Sequence, residues 1–425
     1  MVSTYGAVAV AARAVFAAAA VLQTWGVQAA PLTLDEAWRI AEERNPALRG
    51  AQAGVHAAQG QMAESRAALW NNPSVSLEQA RTRIPRAEER YRGWTFGLSQ
   101  TFELGGQQAR RRDAAAAELE SVETNIAEVR RELRAVVEQR FVQVLALQLR
   151  AAVERETVAL VERADAAMRK RFEAGEVSKL DGNLARVEAE RARNQLSQLD
   201  EQTTQARAEL AALLQLPPAE LPEVGGSLRR EAGYTREQLL SAAARRKKLA
   251  SLERREEAAR NRLALERGAR TPDVSVGITA GRDGPPELRE RIAGLAISVP
   301  IPVFRRNEAG VGRALGELTQ AQIERQAAER DTLAEVHAQW QRVALLEARA
   351  RRHREAVLRV LEENQRLSQT ALREGEISIS ELLLVNRQVG EVRRELLEAE
   401  TELRLARVAL EKAAGWPPLE SKEAK

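Results

Sequence analysis

Two alternations of apolar and small polar residues mark the chain, the second of them strict. In the first, Trp94, Phe96, Leu98 and Phe102 alternate with Thr95, Gly97, Ser99 and Thr101; in the second, Val274, Val276, Ile278 and Ala280 alternate with Ser275, Gly277, Thr279 and Gly281. Each predicts a strand with one apolar and one small, polar face. Each has a companion. The stretch 292–303 sets Leu295, Ile297, Val299 and Ile301 on one side and follows a turn at Gly284-Pro285-Pro286, whereas 73–83 is less regular because Glu78 and Arg81 interrupt it. Strand pairs are therefore predicted at 73–83 with 93–103 and at 272–281 with 292–303.

Elsewhere the period is helical. Proline-free stretches at 107–172 and 307–372 would each extend about 100 Å as one helix, longer than any compact domain needs. Leu119, Val122, Ile126, Val129, Leu133 and Val136 recur in steps of three and four, as do Leu333, Val336, Trp340 and Val343, which predicts a heptad seam with left-handed supercoiling. A helix precedes each strand pair, at 34–70 and 235–270. After each long rod a glycine-containing turn reverses the chain into a return helix, at 180–214 and 379–414.

The chain says this twice. Asn72-Pro73-Ser74-Val75 recurs as Thr271-Pro272-Asp273-Val274, Ala174-Gly175-Glu176-Val177-Ser178 as Glu374-Gly375-Glu376-Ile377-Ser378, and Leu216-Pro217-Pro218 as Trp416-Pro417-Pro418. Three landmarks at one offset of about 200 positions predict an internal duplication. The expected organisation is a leader over 1–29, a first repeat over 30–218, a linker over 219–234, a second repeat over 235–418 and a tail over 419–425. The leader reads as a Sec signal peptide, with Arg13, the apolar run Ala14 to Leu22, and Val27-Gln28-Ala29 suited to cleavage after Ala29.

Composition narrows the options. Charged residues are 30% of the chain and aromatics 4%, a mixture suited to long helices with narrow seams and charged flanks. Basic and acidic residues number 65 and 61 and are interspersed, so no basic face for nucleic acid emerges. Cysteine is absent, which excludes thiol chemistry, cysteine metal sites and an acylated N-terminal cysteine. His56, His337 and His353 are isolated on helical segments. Gly310-Val311-Gly312 with Gly316 has the wrong spacing for a dinucleotide loop and reads as close packing at a helix entrance. No nucleophile, base and orienting group come together in the pattern, so neither enzymatic activity nor a cofactor is expected. No stretch after the leader reaches the roughly 18 to 20 apolar residues of a membrane helix. A chain of this kind would enter a membrane as strands, and four strands cannot close a barrel alone.

Further motifs give this plan a family. Leu32-Thr33-Leu34-Asp35-Glu36-Ala37 with Asn45-Pro46, then Leu98-Ser99-Gln100-Thr101-Phe102-Glu103-Leu104-Gly105-Gly106, then Pro300-Ile301-Pro302-Val303-Phe304 with Asn307, resemble in order the signatures of TolC-family outer-membrane efflux proteins, closest in look to the CzcC-like cation-efflux branch. The resemblance covers nearly the whole mature chain. It implies a mainly α protein with a small β part: a homotrimer with a twelve-strand outer-membrane β-barrel continued by a twelve-helix periplasmic α-barrel. It further implies contact with outer-membrane lipid, a periplasmic adaptor (membrane fusion protein) and an inner-membrane pump of the RND type. The implied function is a passive exit duct of a tripartite efflux system; heavy-metal cations, drugs and other solutes all stay open as cargo, because the pump selects it and the duct needs no metal-binding cluster.

In that arrangement the reversing turns form the periplasmic tip. Gly175, Glu176, Val177 and Ser178, with Gly375, Glu376, Ile377 and Ser378, are candidates for contact with the adaptor; the need for positive φ in a tight reversal explains the two glycines equally well. Asp181 and Glu381 follow the tip glycines by six residues, where related ducts use carboxylates in the aperture, and Lys179 and Arg373 are candidate compensating cations. A helix-start role favoured by the dipole explains both carboxylates as well. Trp70, Tyr91, Trp94 and Phe304 near strand ends suit an interfacial girdle or packing against helices. A soluble coiled-coil scaffold would share the rods but not the leader or hairpins, and an export adaptor would carry one helical hairpin with small β-domains.

Overall fold

The computed structural model of the chain describes residues 30–84, 89–285, 287–374 and 376–417. The expected leader and the 419–425 tail lie outside the described residues, as do Gly375, Pro286, Pro418 and the side chain of Arg373.

The first predicted helix is two. α1 (Leu34–Arg44) and α2 (Pro46–Ser65) meet at Asn45, whose backbone is extended at φ −65 and ψ 126. Pro46 has no amide hydrogen and excludes the helical conformation from the residue before it. Asn45 therefore closes one helix and caps the next, its side-chain oxygen accepting from the Ala47 amide at 2.9 Å while its Nδ2 donates to the Leu213 carbonyl at 3.3 Å. The equivalent helix of the second half divides into α5 (Arg236–Ala244) and α6 (Lys247–Gly268) at Arg246. No proline acts there. Instead the extended Arg246 backbone accompanies a buried guanidinium that pairs with Glu128 at 2.6 Å and donates to the Ala413 carbonyl at 3.3 Å.

β1 (Ser74–Ile84), β2 (Glu89–Phe102), β3 (Val274–Asp283) and β4 (Glu290–Ser298) form one antiparallel sheet in the order β1-β2-β3-β4. Register aligns Val75, Leu98, Ile278 and Leu295 in a single row. β4 stops short of the expected 303 because Pro300 and Pro302 offer no ladder donors. The outer edges of β1 and β4 have no strand partner within the described residues.

α3 (Gln107–Glu173) is an unbroken helix of 67 residues, and α4 (Lys179–Leu214) returns along it. Its entry uses the paired glycines of the Leu104-Gly105-Gly106 motif: Gly106 has φ 72, and a Cβ on Gly105 would sit 2.3 Å from the Gly268 carbonyl. The second rod differs from the expected single helix. α7 (Glu308–Arg352) passes through a π-helical stretch, His353–Leu358, into α8 (Arg359–Glu374), and α9 (Ile379–Ala414) returns. Of the glycines near its start only Gly310 is closely packed, against Glu266 and Asn307; Gly312 and Gly316 face open space.

Two apolar clusters hold the helices. One joins Leu48, Val137, Phe141, Val144, Leu210 and Leu214 of α2, α3 and α4; the other joins Leu239, Val336, Val343, Leu403 and Leu410 of α5, α7 and α9. The buried line of α3 is not wholly the predicted one. Leu133 is buried, but the line facing its neighbours runs Ala114, Ala117, Ser121, Glu128, Arg131, Ala135, Glu138, Val142 and Leu145, spaced at threes, fours and one seven. On α7, Val336, Val343 and Ala350 face inward while Leu333, one step of three before Val336, is 47% exposed, so only every seventh position of the predicted seam is buried.

Candidate functional site: the sheet face and the helical turns

The two faces of the sheet are chemically opposite. On one, Val75, Leu77, Trp94, Phe96, Leu98, Ile278, Leu295 and Ile297 are all exposed, Leu77 to 75%. On the other lie Ser76, Glu78, Gly93, Gly97, Ser99, Gly277, Thr279, Gly281, Asp283 and Glu290, as the cross-strand register requires. Hydroxyls bridge neighbouring strands on this side, Ser74 to Ser99 and Thr101 to Ser275, both at 2.7 Å. A Cβ on Gly97 would stand 2.5 Å from the Ser76 hydroxyl of one neighbouring strand and 3.5 Å from Thr279 of the other. Small residues let neighbouring strands pack closely on this face, as a sheet closing into a barrel with this face concave and the apolar face convex would require. Of Glu78 and Arg81, read from sequence as interruptions, Glu78 falls on the polar face and keeps the alternation, whereas Arg81 falls on the face of Val75 and Leu77 and ends its apolar run.

The aromatic residues divide. Trp94 stands on the convex face, Tyr91 on the concave one. Trp70 lies beneath the Arg111 guanidinium, 3.7 Å from its ring centre, and Arg111 also pairs with Glu103 at 2.7 Å. Phe304 is almost fully exposed.

The turn after α3 reverses through Gly175 at φ 77, with the Gly175 amide donating to Phe172 and the Glu176 amide to Arg171, both at 2.9 Å. The turn after α8 repeats the second bond, Glu376 to Ala371 at 2.8 Å. Ser178 and Ser378 then cap α4 and α9. Ser178 accepts from the Asp181 amide at 3.2 Å and its hydroxyl donates to the Asp181 carboxylate at 2.7 Å. The Ser378 amide donates to Glu381 at 2.7 Å, and the Glu381 amide returns a bond to the Ser378 hydroxyl at 3.2 Å. Bonds from the Ser378 backbone and hydroxyl hold the Glu381 carboxyl below the usual carboxylate range. Glu176 stands 3.7 Å from Arg171; Val177 is half-buried, and Ile377 likewise. Lys179 is exposed and makes no ion pair with Asp181 among the described residues. Asp181, Met168, Leu384 and Arg394 line one open cleft of about 810 Å³, which places the starts of both return helices at the same end of the molecule.

A second set of residues, which sequence reasoning did not single out, ties the first rod to the second half. Glu128, Glu138 and Glu154 of α3 are buried and pair with Arg246, Arg404 and Arg394. Arg230 approaches Glu138 at 3.5 Å and Glu411 at 3.4 Å. Burial pushes the Glu138 and Glu411 carboxyls up despite these cations. The only available signal was charged residues on the seam side of a heptad, a weak one because charges on a helix are ordinarily solvated.

Among the described residues no helix is long and apolar enough to cross a membrane, and no group of three or more His, Asp or Glu could hold a metal ion. His56 and His337 are exposed, and His353 lies 3.7 Å from Glu395.

A profile of outer membrane efflux proteins matches residues 38–215 and 239–416. The chain belongs to the outer membrane efflux protein family. It is 28% identical over 297 residues to the cobalt-zinc-cadmium resistance protein CzcC of Cupriavidus metallidurans, covering 70% of this chain and 69% of that protein. Its fold is similar to that of a membrane protein from Pseudomonas aeruginosa, with a TM-score of 0.76 at 22% identity over 91% of this chain and 92% of that one. VceC, an outer membrane protein of Vibrio cholerae, gives a TM-score of 0.74 at 17% identity over 90% and 96% of the two chains. As an outer membrane efflux protein, the chain is a protein of the outer membrane that extends into the periplasm.

Proposed function

We propose that three copies of this chain, each built from two copies of one unit, close a twelve-strand barrel over a twelve-helix tunnel, and that the trimer is the exit duct of a tripartite efflux system. The observation that carries this reading is the sheet: four strands with an exposed apolar face and two edges that have no strand partner among the described residues. Open edges are not tolerated in lipid, so the ladders must be completed by other copies. The glycines and hydroxyls of the concave face then line a wide lumen through which solutes pass passively.

The cargo we assign is divalent metal cations. The named resistance of the CzcC relative supports this, as do Glu78, Asp283 and Glu290 on the concave face. Three copies of each would favour cations without holding them, as conduction requires. An inner-membrane pump of the RND type selects the cargo, and its periplasmic adaptor docks at the turns through Gly175 to Ser178 and Gly375 to Ser378. Asp181 and Glu381, with Lys179 and Arg373 as counter-charges, form the aperture, and the bonds from Ser378 hold the Glu381 carboxyl below its ordinary value.

Deleting the gene should sensitise the host to cobalt, zinc or cadmium, and the trimer in a planar bilayer should prefer cations until E78Q, D283N and E290Q are combined. Unchanged sensitivity to every metal and drug tried would sink the efflux assignment. Loss of drug resistance alone would redirect the cargo.

A further inference from the structure

Charges on the sheet are sorted by face. Arg81, Arg83, Arg90, Arg92, Arg282 and Arg291 all lie on the convex side, whereas Glu78, Asp283 and Glu290 all lie on the concave side. The arginines also oppose one another directly: Arg81 faces Arg92, Arg83 faces Arg90, and Arg282 faces Arg291. All six are exposed, and among the described residues none makes an ion pair or side-chain hydrogen bond. Like charges directly opposite across an antiparallel pair destabilise it. A polar rim alone would scatter both signs over both faces.

Their height is as particular as their side. Trp94 shares a row with Gln79, Arg282 and Arg291, at the limit of the apolar surface. From Trp94 back to Phe102 the strand covers about 27 Å, or roughly 20 Å of rise at the tilt of a closed barrel, close to the height of an apolar belt. A tryptophan at that limit sits at headgroup level. The Arg81/Arg92 row lies about 7 Å beyond it and the Arg83/Arg90 row about 14 Å beyond it. The helices leave from the opposite strand ends, so these rows face the outer leaflet.

We propose that the paired arginines are a docking surface for phosphorylated glycolipid of the outer leaflet, each facing pair clasping a phosphate from the lipid side. Guanidinium groups fork onto phosphate oxygens, and a shared dianion turns the repulsion of a facing pair into attraction. The proposal rests on the barrel reading above. In the closed barrel β4 of one copy would meet β1 of the next, bringing the arginines of neighbouring copies into one girdle.

The test is native mass spectrometry of the full-length protein in mild detergent, with bisphosphorylated lipid A, dephosphorylated lipid A and phosphatidylcholine offered in equal amounts. The trimer should retain bisphosphorylated lipid A selectively. R81Q/R92Q and R282Q/R291Q should each weaken retention by about tenfold or more, whereas R110Q on α3 should not, and all variants should remain trimeric. A trimer retaining the three lipids equally, or losing lipid A fully to millimolar inorganic phosphate, would overturn the docking surface and leave the barrel reading intact. A chain that stays monomeric would overturn both.

Discussion

Ser178 and Ser378 each do two things for the turn that precedes them: they accept an amide at the start of the return helix and orient the carboxylate of the residue three positions on. Replacing both with alanine should cost about 1 kcal/mol at each helix start, read as faster hydrogen exchange in the first turns of α4 and α9 with the rods unaffected. The Glu381 carboxyl is lowered from its ordinary value of 4.5. Its contribution is therefore present above that pH and lost as pH falls through the folded value, so the protection of the α9 start, taken relative to the intrinsic exchange rate at each pH, should fall in acid, and E381Q should remove that dependence. This end of the molecule was legible from sequence because caps and positive-φ glycines act over three or four residues. Gly175, Ser178 and Asp181 stand where local rules put them. What those rules could not supply is whether a capping carboxylate also faces an aperture, since both roles use the same atoms.

Among elements, α3 was the clearest in length and the least clear in orientation. Apolar spacing picked Leu119, Val122 and Ile126, whereas the helix buries Ala117, Ser121 and Glu128. Small residues admit α6 closely, and charged ones are buried because arginines from α6 and α9 meet them; neither partner is adjacent in sequence, so nothing local announces the pairing. The breaks in the shorter helices divide the same way: Pro46 was visible as a breaker, but Arg246 breaks its helix through a carboxylate more than a hundred positions earlier. These pairs yield a prediction of their own. Arg404→Met should destabilise the protein by about 3 kcal/mol near neutral pH, by leaving Glu138 buried with poorer compensation, and adding Glu138→Gln should recover much of the loss. The Glu138 carboxyl is raised, so its protonated form stabilises the fold below the ordinary value and that contribution fades as pH rises. The Arg404→Met defect in urea unfolding should accordingly shrink toward acid pH.

For the whole molecule, the strand alternation and the repeated order of elements were readable because each obeys a period. The curl of the sheet was not, since it depends on which small residues fall opposite one another: Gly97 beside Ser76, and Gly93 beside Asp283. Gly97→Val should therefore leave the helical circular dichroism intact while preventing trimer formation, measured by light scattering in detergent. A trimer of normal mass would show that the curl tolerates bulk.

β1 and β4 each end the sheet with a row of amide and carbonyl groups that no strand among the described residues answers. A lone copy thus lacks a complete native state, and its melting temperature becomes a function of how many companions it can find. Dilution should act on this protein as heat does, lowering the midpoint with each decade of concentration.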